Sequence, residues 1–246
     1  MVDGRHQDHS YFDPAFIRRI CHRRTGIGAD GLIILEESAR ADFRMLYFNS
    51  DGKEGTMCGN GGRCITRFAA HLGVIGNDTT FEGIDGLHQA TLLPDENIRL
   101  RLKDVKGIRK LQDGFLLDTG SPHFIRFVTD LETLDVENRG REIRKQARFG
   151  KGGVNVNFVA TPGSRPEISV RTYERGVEEE TLSCGTGVAA AVICAAVNQQ
   201  SDNQSYKVKT RGGIIQVSFR KLTENHFTEI HLNGPAEKVF EGTLSI

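Results

Sequence analysis

Thr56-Met57-Cys58-Gly59-Asn60-Gly61 and Thr181-Leu182-Ser183-Cys184-Gly185-Thr186-Gly187 read as two copies of one passage, and each opens an apolar segment of helical character. The copies extend downstream. Gly86-Leu87-His88-Gln89-Ala90-Thr91-Leu92 echoes Gly213-Ile214-Ile215-Gln216-Val217-Ser218-Phe219, beginning 28 residues after Cys58 and 29 after Cys184. A repeat sets the architecture before any single residue does. Here it predicts two similar halves, each presenting one thiol at the start of a helix. Two matched thiols suit a reaction built from mirror-related proton transfers.

Composition narrows the classes. The 246 residues suffice for one large or two modest domains. Lys plus Arg and Asp plus Glu are both 32, so no basic bias points to a nucleic acid or a membrane surface. No apolar run reaches the ~18 residues a membrane helix needs, and the polar opening has no secretory pattern. Five cysteines are an odd number, widely spaced, in a chain too large to need disulfide staples. The expected compartment is the reducing cytoplasm.

Along the chain, Asp13-Pro14 before Ala15-Phe16-Ile17 reads as an N-cap followed by proline at the first helical position. Residues 32–36, 43–49 and 98–102 read as strands. After Cys58, Ile65, Phe68, Ala69 and Leu72 fall at i, i+3, i+4 and i+7, with Gly73 placed to end a helix. In the second half, residues 115–117, 124–128, 154–159 and 168–173 read as strands. Residues 188–197 are apolar on every face, so that helix must be buried all round. The pattern predicts an α+β chain of two pseudo-symmetric domains, each a mostly antiparallel β-sheet wrapped around a central helix. The division is expected at 1–112 and 113–237, with the tail 238–246 returning to the first domain.

Gly26-Ile27-Gly28-Ala29-Asp30-Gly31 matches G-x-G-x-x-G, but a helical pattern precedes it and a strand follows. A dinucleotide site needs the reverse order, so a glycine-rich turn is the better reading. Cys58 and Cys184 carry the sharper signal. A cysteine at a helix N-terminus meets N–H groups without intrahelical partners and the positive end of the dipole, and both favour a thiolate. Cys21, Cys64 and Cys194 read as structural. Metal binding fails on ligand supply: no C-x-x-C is present, and His22, His71 and His123 do not cluster. Glu174-Arg175 ends a strand ten residues before Cys184, and Asn49 ends the corresponding strand nine residues before Cys58. Glu174-Arg175 reads either as a solvated charge pair or as a carboxylate clamp, and the matched placement makes these positions and Asn49 candidates for substrate contact.

At Gly26–Gly31, Asn49-Ser50-Asp51-Gly52, Met57-Cys58-Gly59-Asn60-Gly61-Gly62-Arg63-Cys64, Tyr173-Glu174-Arg175-Gly176, Ser183–Gly187 and Gly234-Pro235-Ala236, the chain resembles the diaminopimelate epimerases over nearly its whole length. The resemblance implies a cofactor-independent epimerase, not using pyridoxal phosphate, that works in lysine and cell-wall precursor biosynthesis. One cysteine would be the thiolate base and the other the thiol acid, on opposite faces of the substrate α-carbon, in a cleft between two domains. It further implies Asn49, Gly59, Asn60, Asn155, Glu174, Arg175, Gly185 and Thr186 as substrate-binding residues, His123 and Glu174 as groups tuning the thiols, and a homodimer. The chain is expected to begin just past the family's first strand and its Gly-Asn-Asp-Phe-like turn, so that either its start is misassigned or a strand and a substrate-binding asparagine are lacking. On that reading a sheet edge is unpaired and Leu32 and Ile34 are exposed. Gly31 stands where some members have glutamine, and Ser121 where many have asparagine. A proline-racemase-like two-thiol enzyme and a non-catalytic binding remnant remain as other readings of the same residues.

Overall fold

The computed structural model describes residues 1–5, 12–55, 58–163 and 165–244. Thr56 and Met57, which open the first copy of the repeat, lie outside them. The chain folds as two compact units, Met1–Leu100 with Pro235–Ile246, and Arg101–Gly234.

The first unit begins with β1 (Val2–Asp3), then α1 (Pro14–Cys21), β2 (Gly31–Glu36), β3 (Phe43–Asn49), α2 (Gly59–His71), β4 (Asp78–Gly83), β5 (Gly86–Leu92) and β6 (Ile98–Arg101). Successive pairings of β1 through β6 are parallel, antiparallel, parallel, antiparallel and antiparallel. Asp13 caps α1 by accepting the Phe16 N–H at 2.7 Å. The apolar run of β2 is buried on both faces. Leu32 and Ile34 pack on Phe16, Ile17 and Ile20 of α1, while Ile33 faces the first turn of α2. Leu32 and Ile34 are therefore buried, not exposed as the sequence suggested. The amphipathic α1 covers that face, and β1 pairs along β2 through Val2↔Ile34 and Asp3↔Leu35.

The second unit continues with β7 (Val105–Lys106), β8 (Arg109–Leu111), β9 (Gly114–Asp118), β10 (Pro122–Phe127), α3 (Val136–Arg144), β11 (Asn155–Ala160), β12 (Glu167–Tyr173), β13 (Glu180–Thr181), α4 (Gly185–Asn198), β14 (Ser205–Thr210), β15 (Gly213–Thr223) and β16 (His226–Gly234). The pairings of β10, β11, β12, β14, β15 and β16 repeat the parallel–antiparallel order of the first unit. The downstream repeat of the sequence marks two hairpins, β4–β5 and β14–β15. Gly86 and Gly213 sit just past their tips at φ 125° and 123°, backbone that favours glycine. The junction between units falls at 100/101, twelve residues before the position read from the sequence. The reason is local: β7 pairs with β16 and β8 with β9, so this stretch is tied to second-unit strands.

Residues 188–196 of α4 are all buried, as an all-apolar helix requires. The outer face of β11 packs Val156 and Phe158 against Val136 and Ile143 of α3. Helix α3 escaped the sequence reading because Gly140 interrupts it and only two of its side chains, Val136 and Ile143, are apolar and buried. That glycine is a packing requirement: a Cβ there would lie 2.3 Å from the Cβ of Tyr173 on β12. Gly140→Ala gains about 1 kcal/mol of helix propensity but forces a clash worth about 1–3 kcal/mol. Urea denaturation of Gly140→Ala should show a net loss of stability. A variant as stable as the parent would mean that α3 does not pack this tightly on β12.

Candidate active site

Cys58 is the N-cap residue of α2, in extended backbone (φ −104°, ψ 152°). Its Sγ accepts the Gly61 N–H at 3.2 Å, and its carbonyl accepts the Gly62 N–H at 2.8 Å. The thiol is thus held where a helix start offers N–H groups and partial positive charge. A Cβ on Gly61 would press on Met45, the Cys58 Sγ and Ile33 at 3.1–3.4 Å, so the second glycine of Cys-Gly-x-Gly keeps this turn close to its sheet. The buried Arg63 closes the same turn. It donates to the Gly59 carbonyl at 3.2 Å, to Asn60 Oδ1 at 2.9 Å and to the Pro235 carbonyl at 3.3 Å. Burial pulls its pKa below the ordinary arginine value, opposed by the charges of Cys64 and Cys58. Asn49, exposed at the end of β3, makes its bonds to the Lys53 carbonyl.

Cys184 is the N-cap residue of α4 (φ −116°, ψ 109°), and its carbonyl accepts the Val188 N–H at 2.8 Å. The two helix starts thus repeat in backbone, but their side-chain partners differ. The Cys184 Sγ lies 3.6 Å from the Thr186 hydroxyl. Thr186 Oγ1 is 3.0 Å from His123 Nε2, which is 2.9 Å from Ser121 Oγ. Asn155 donates to Ser121 Oγ at 3.2 Å and accepts the Arg175 N–H at 2.9 Å. Register explains the assembly: β10, β11 and β12 lie side by side, with His123 opposite Asn155 and Asn157 opposite Thr172. Five of the residues singled out from the sequence in this unit, His123, Asn155, Arg175, Cys184 and Thr186, are linked this way. Gly185 is buried in the first turn of α4. Glu174 follows β12, and burial raises its carboxyl above the usual range.

The sequence reading passed over Asn157, Thr172, Ser121 as a histidine partner, and Arg63. A signal for Asn157 was present: two asparagines two apart in an otherwise apolar strand share one face. The other cysteines sit as structural thiols. Cys21 and Cys194 are buried, Cys64 is half-buried, and burial raises all three. Among the described residues no cluster of His, Cys, Asp or Glu is placed to hold a metal, and no helix is long and apolar enough to cross a membrane.

The sequence profile of the diaminopimelate epimerase family matches residues 1–104 and 115–239. A diaminopimelate epimerase of Flavobacterium psychrophilum is 46% identical over 245 residues, covering 99% of this chain and 94% of the relative. One from Chlorobaculum tepidum is 42% identical over 240 residues, covering 94% and 91%. Among solved structures, a phenazine biosynthesis protein of the PhzF family from Bacillus anthracis aligns with a TM-score of 0.74 at 14% identity, over 95% of this chain and 89% of that one. A hydroxyproline epimerase from Agrobacterium vitis, solved with trans-4-hydroxy-L-proline, aligns with a TM-score of 0.58 at 16% identity, over 89% and 76%. At such identities the structural likeness speaks for the fold alone.

His123 makes a testable demand on stability. Complete burial, and then the charge of Arg175, lower its pKa from 6.5 to about 3. Below pH 6.5 the unfolded chain binds a proton that the native state refuses, so this group's contribution is present above 6.5 and is lost as pH falls toward 3. The slope is at most about 1.4 kcal/mol per pH unit. Denaturation of wild type and His123→Gln between pH 7 and 4 should show a steeper loss in the wild type. Parallel curves would mean that His123 titrates normally.

Proposed function

The chain belongs to the diaminopimelate epimerase family, and from that premise we propose that it interconverts LL- and meso-diaminopimelate without a cofactor, with Cys58 and Cys184 as its acid–base pair. The observation that carries the assignment of residues is the matched placement of these two thiols, each the N-cap of the helix its sheet encloses. Inversion at an α-carbon removes a proton and returns one from the other side, so one thiol starts as thiolate and the other as thiol. Their titrations are then properties of the pair. An α-proton is very weakly acidic, and the carbanion that forms needs preorganised donors. The first N–H groups of α2 and α4, at Gly59-Asn60 and Gly185-Thr186, supply them for the substrate carboxylate.

The remaining substrate contacts fall to Asn49, Asn155, Glu174 and Arg175. The bonds from Asn155 to Ser121 and to the Arg175 backbone support this, because they fix its amide next to the Cys184 turn. His123 tunes the thiols, and Glu174 does so in addition to its substrate contact. The same reading makes the partner a small amino acid, the assembly a homodimer and the compartment the cytoplasm, where five free thiols stay reduced. A proline-type substrate draws support only from likeness of fold.

Cys58→Ala and Cys184→Ala should each lower kcat by about 10²–10⁴-fold or more, the usual contribution of a positioned acid or base. Cys64→Ala and Cys194→Ala should retain turnover, with some loss of melting temperature for the buried Cys194. Turnover of LL-diaminopimelate in deuterium oxide should place deuterium at the inverted carbon. Near-normal turnover by Cys58→Ala, or inversion without solvent label, would falsify the two-thiol assignment.

A further inference from the structure

We propose that Asn157 is the positioning residue that fixes His123 as the neutral Nε2–H tautomer and so turns the Thr186 hydroxyl toward the Cys184 thiol. The inference deepens the preceding reading and rests on it for the use of Cys184.

Asn157 is fully buried in β11. Its Nδ2 lies 3.1 Å from His123 Nδ1 and 3.4 Å from the Phe124 carbonyl. A backbone carbonyl only accepts, so the amide nitrogen, not its oxygen, belongs on that side. Thr172 agrees from the other end, donating its hydroxyl to Asn157 Oδ1 at 2.9 Å. With an NH₂ group facing it, His123 Nδ1 must accept and therefore carries no proton. A neutral imidazole then holds its proton on Nε2. The ring is held neutral by burial and by the charge of Arg175.

The tautomer sets the direction of the next bond. Nε2–H reaches two hydroxyl oxygens, Thr186 at 3.0 Å and Ser121 at 2.9 Å. A Thr186 oxygen that accepts from the ring keeps its own proton to give, and Cys184 Sγ lies 3.6 Å away. A hydroxyl donor favours the thiolate. In the opposite tautomer Nε2 is an acceptor and draws a hydroxyl proton away from the sulfur. Gly187 provides an independent mark of the same arrangement. A Cβ there would lie 2.3 Å from Asn157 Oδ1 and 3.2 Å from His123 Cε1, so the last glycine of Cys-Gly-Thr-Gly makes room for this pair.

The test reads the ring directly. Long-range ¹H–¹⁵N correlation of His123 at pH 7, assigned by its loss in His123→Gln, should show an unprotonated Nδ1 and a protonated Nε2. Asn157→Asp offers only acceptors, so Nδ1 should become protonated, and kcat should fall about ten-fold with little change in KM, the cost of one lost hydrogen bond. A wild-type ring protonated at Nδ1 overturns the proposal, and that reading does not depend on Asn157→Asp folding. Asn157→Asp with a protonated Nδ1 and undiminished kcat overturns the link to Cys184. Full turnover by Cys184→Ala would instead sink the underlying two-thiol reading and leave the tautomer standing.

Discussion

A helix buried along its length can meet polar chemistry only at its ends. Helix α4 is such a helix: residues 188–196 are all buried, its last residue Asn198 is exposed, and its other polar end is the first turn, capped by Cys184. The rest of the second unit follows from that constraint. β10, β11 and β12 turn polar residues, His123, Asn155, Asn157 and Thr172, inward only where that first turn sits. Elsewhere their inner faces are apolar. Gly187 lets the turn approach, and Cys184 caps it with a sulfur that the network reaches through Thr186.

The first unit solves the same problem with other side chains. Its helix start has the same N-cap cysteine and the same close glycine, but the sulfur is bonded by the Gly61 N–H, and the turn is braced by a buried arginine that donates to three neutral oxygens. The repeat keeps backbone geometry and lets the neighbours diverge. Backbone geometry positions a thiol; neighbours decide how strongly its charged form is favoured. Two thiols that must begin a reaction in opposite protonation states need that divergence.

Much of this could be read from sequence, for physical reasons. The Cys-Gly-x-Gly copies and the hairpin glycines mark places where backbone conformation leaves few choices, and the all-apolar run of 188–197 allows only a buried helix. Two features were not legible, and a third was so only in part. Helix α3 carries a mid-helix glycine and few apolar residues, since Gly140 answers to Tyr173 and not to helix propensity. The junction at 100/101 depends on which distant strands take up β7 and β8. Asn157 sits in a strand whose alternation says only that it is buried on both faces. A buried amide looks like a flaw in a core until its partners are seen, and those partners come from two other strands.

The neutrality of His123 is consistent with a reaction that runs both ways. Under the proposed assignment, epimerisation of LL to meso and of meso to LL exchanges the tasks of the two thiols, so each is base in one direction and acid in the other. An imidazolium next to Cys184 would hold it as thiolate by a full charge at short range, and a thiolate so stabilised is a poor proton donor. A neutral N–H relayed through a hydroxyl biases the sulfur by one hydrogen bond, a change that the loss or gain of substrate contacts can offset. Complete burial, Arg175 and the Asn157 amide all work against the charged ring. On this argument the network around Cys184 is built to keep its preference small.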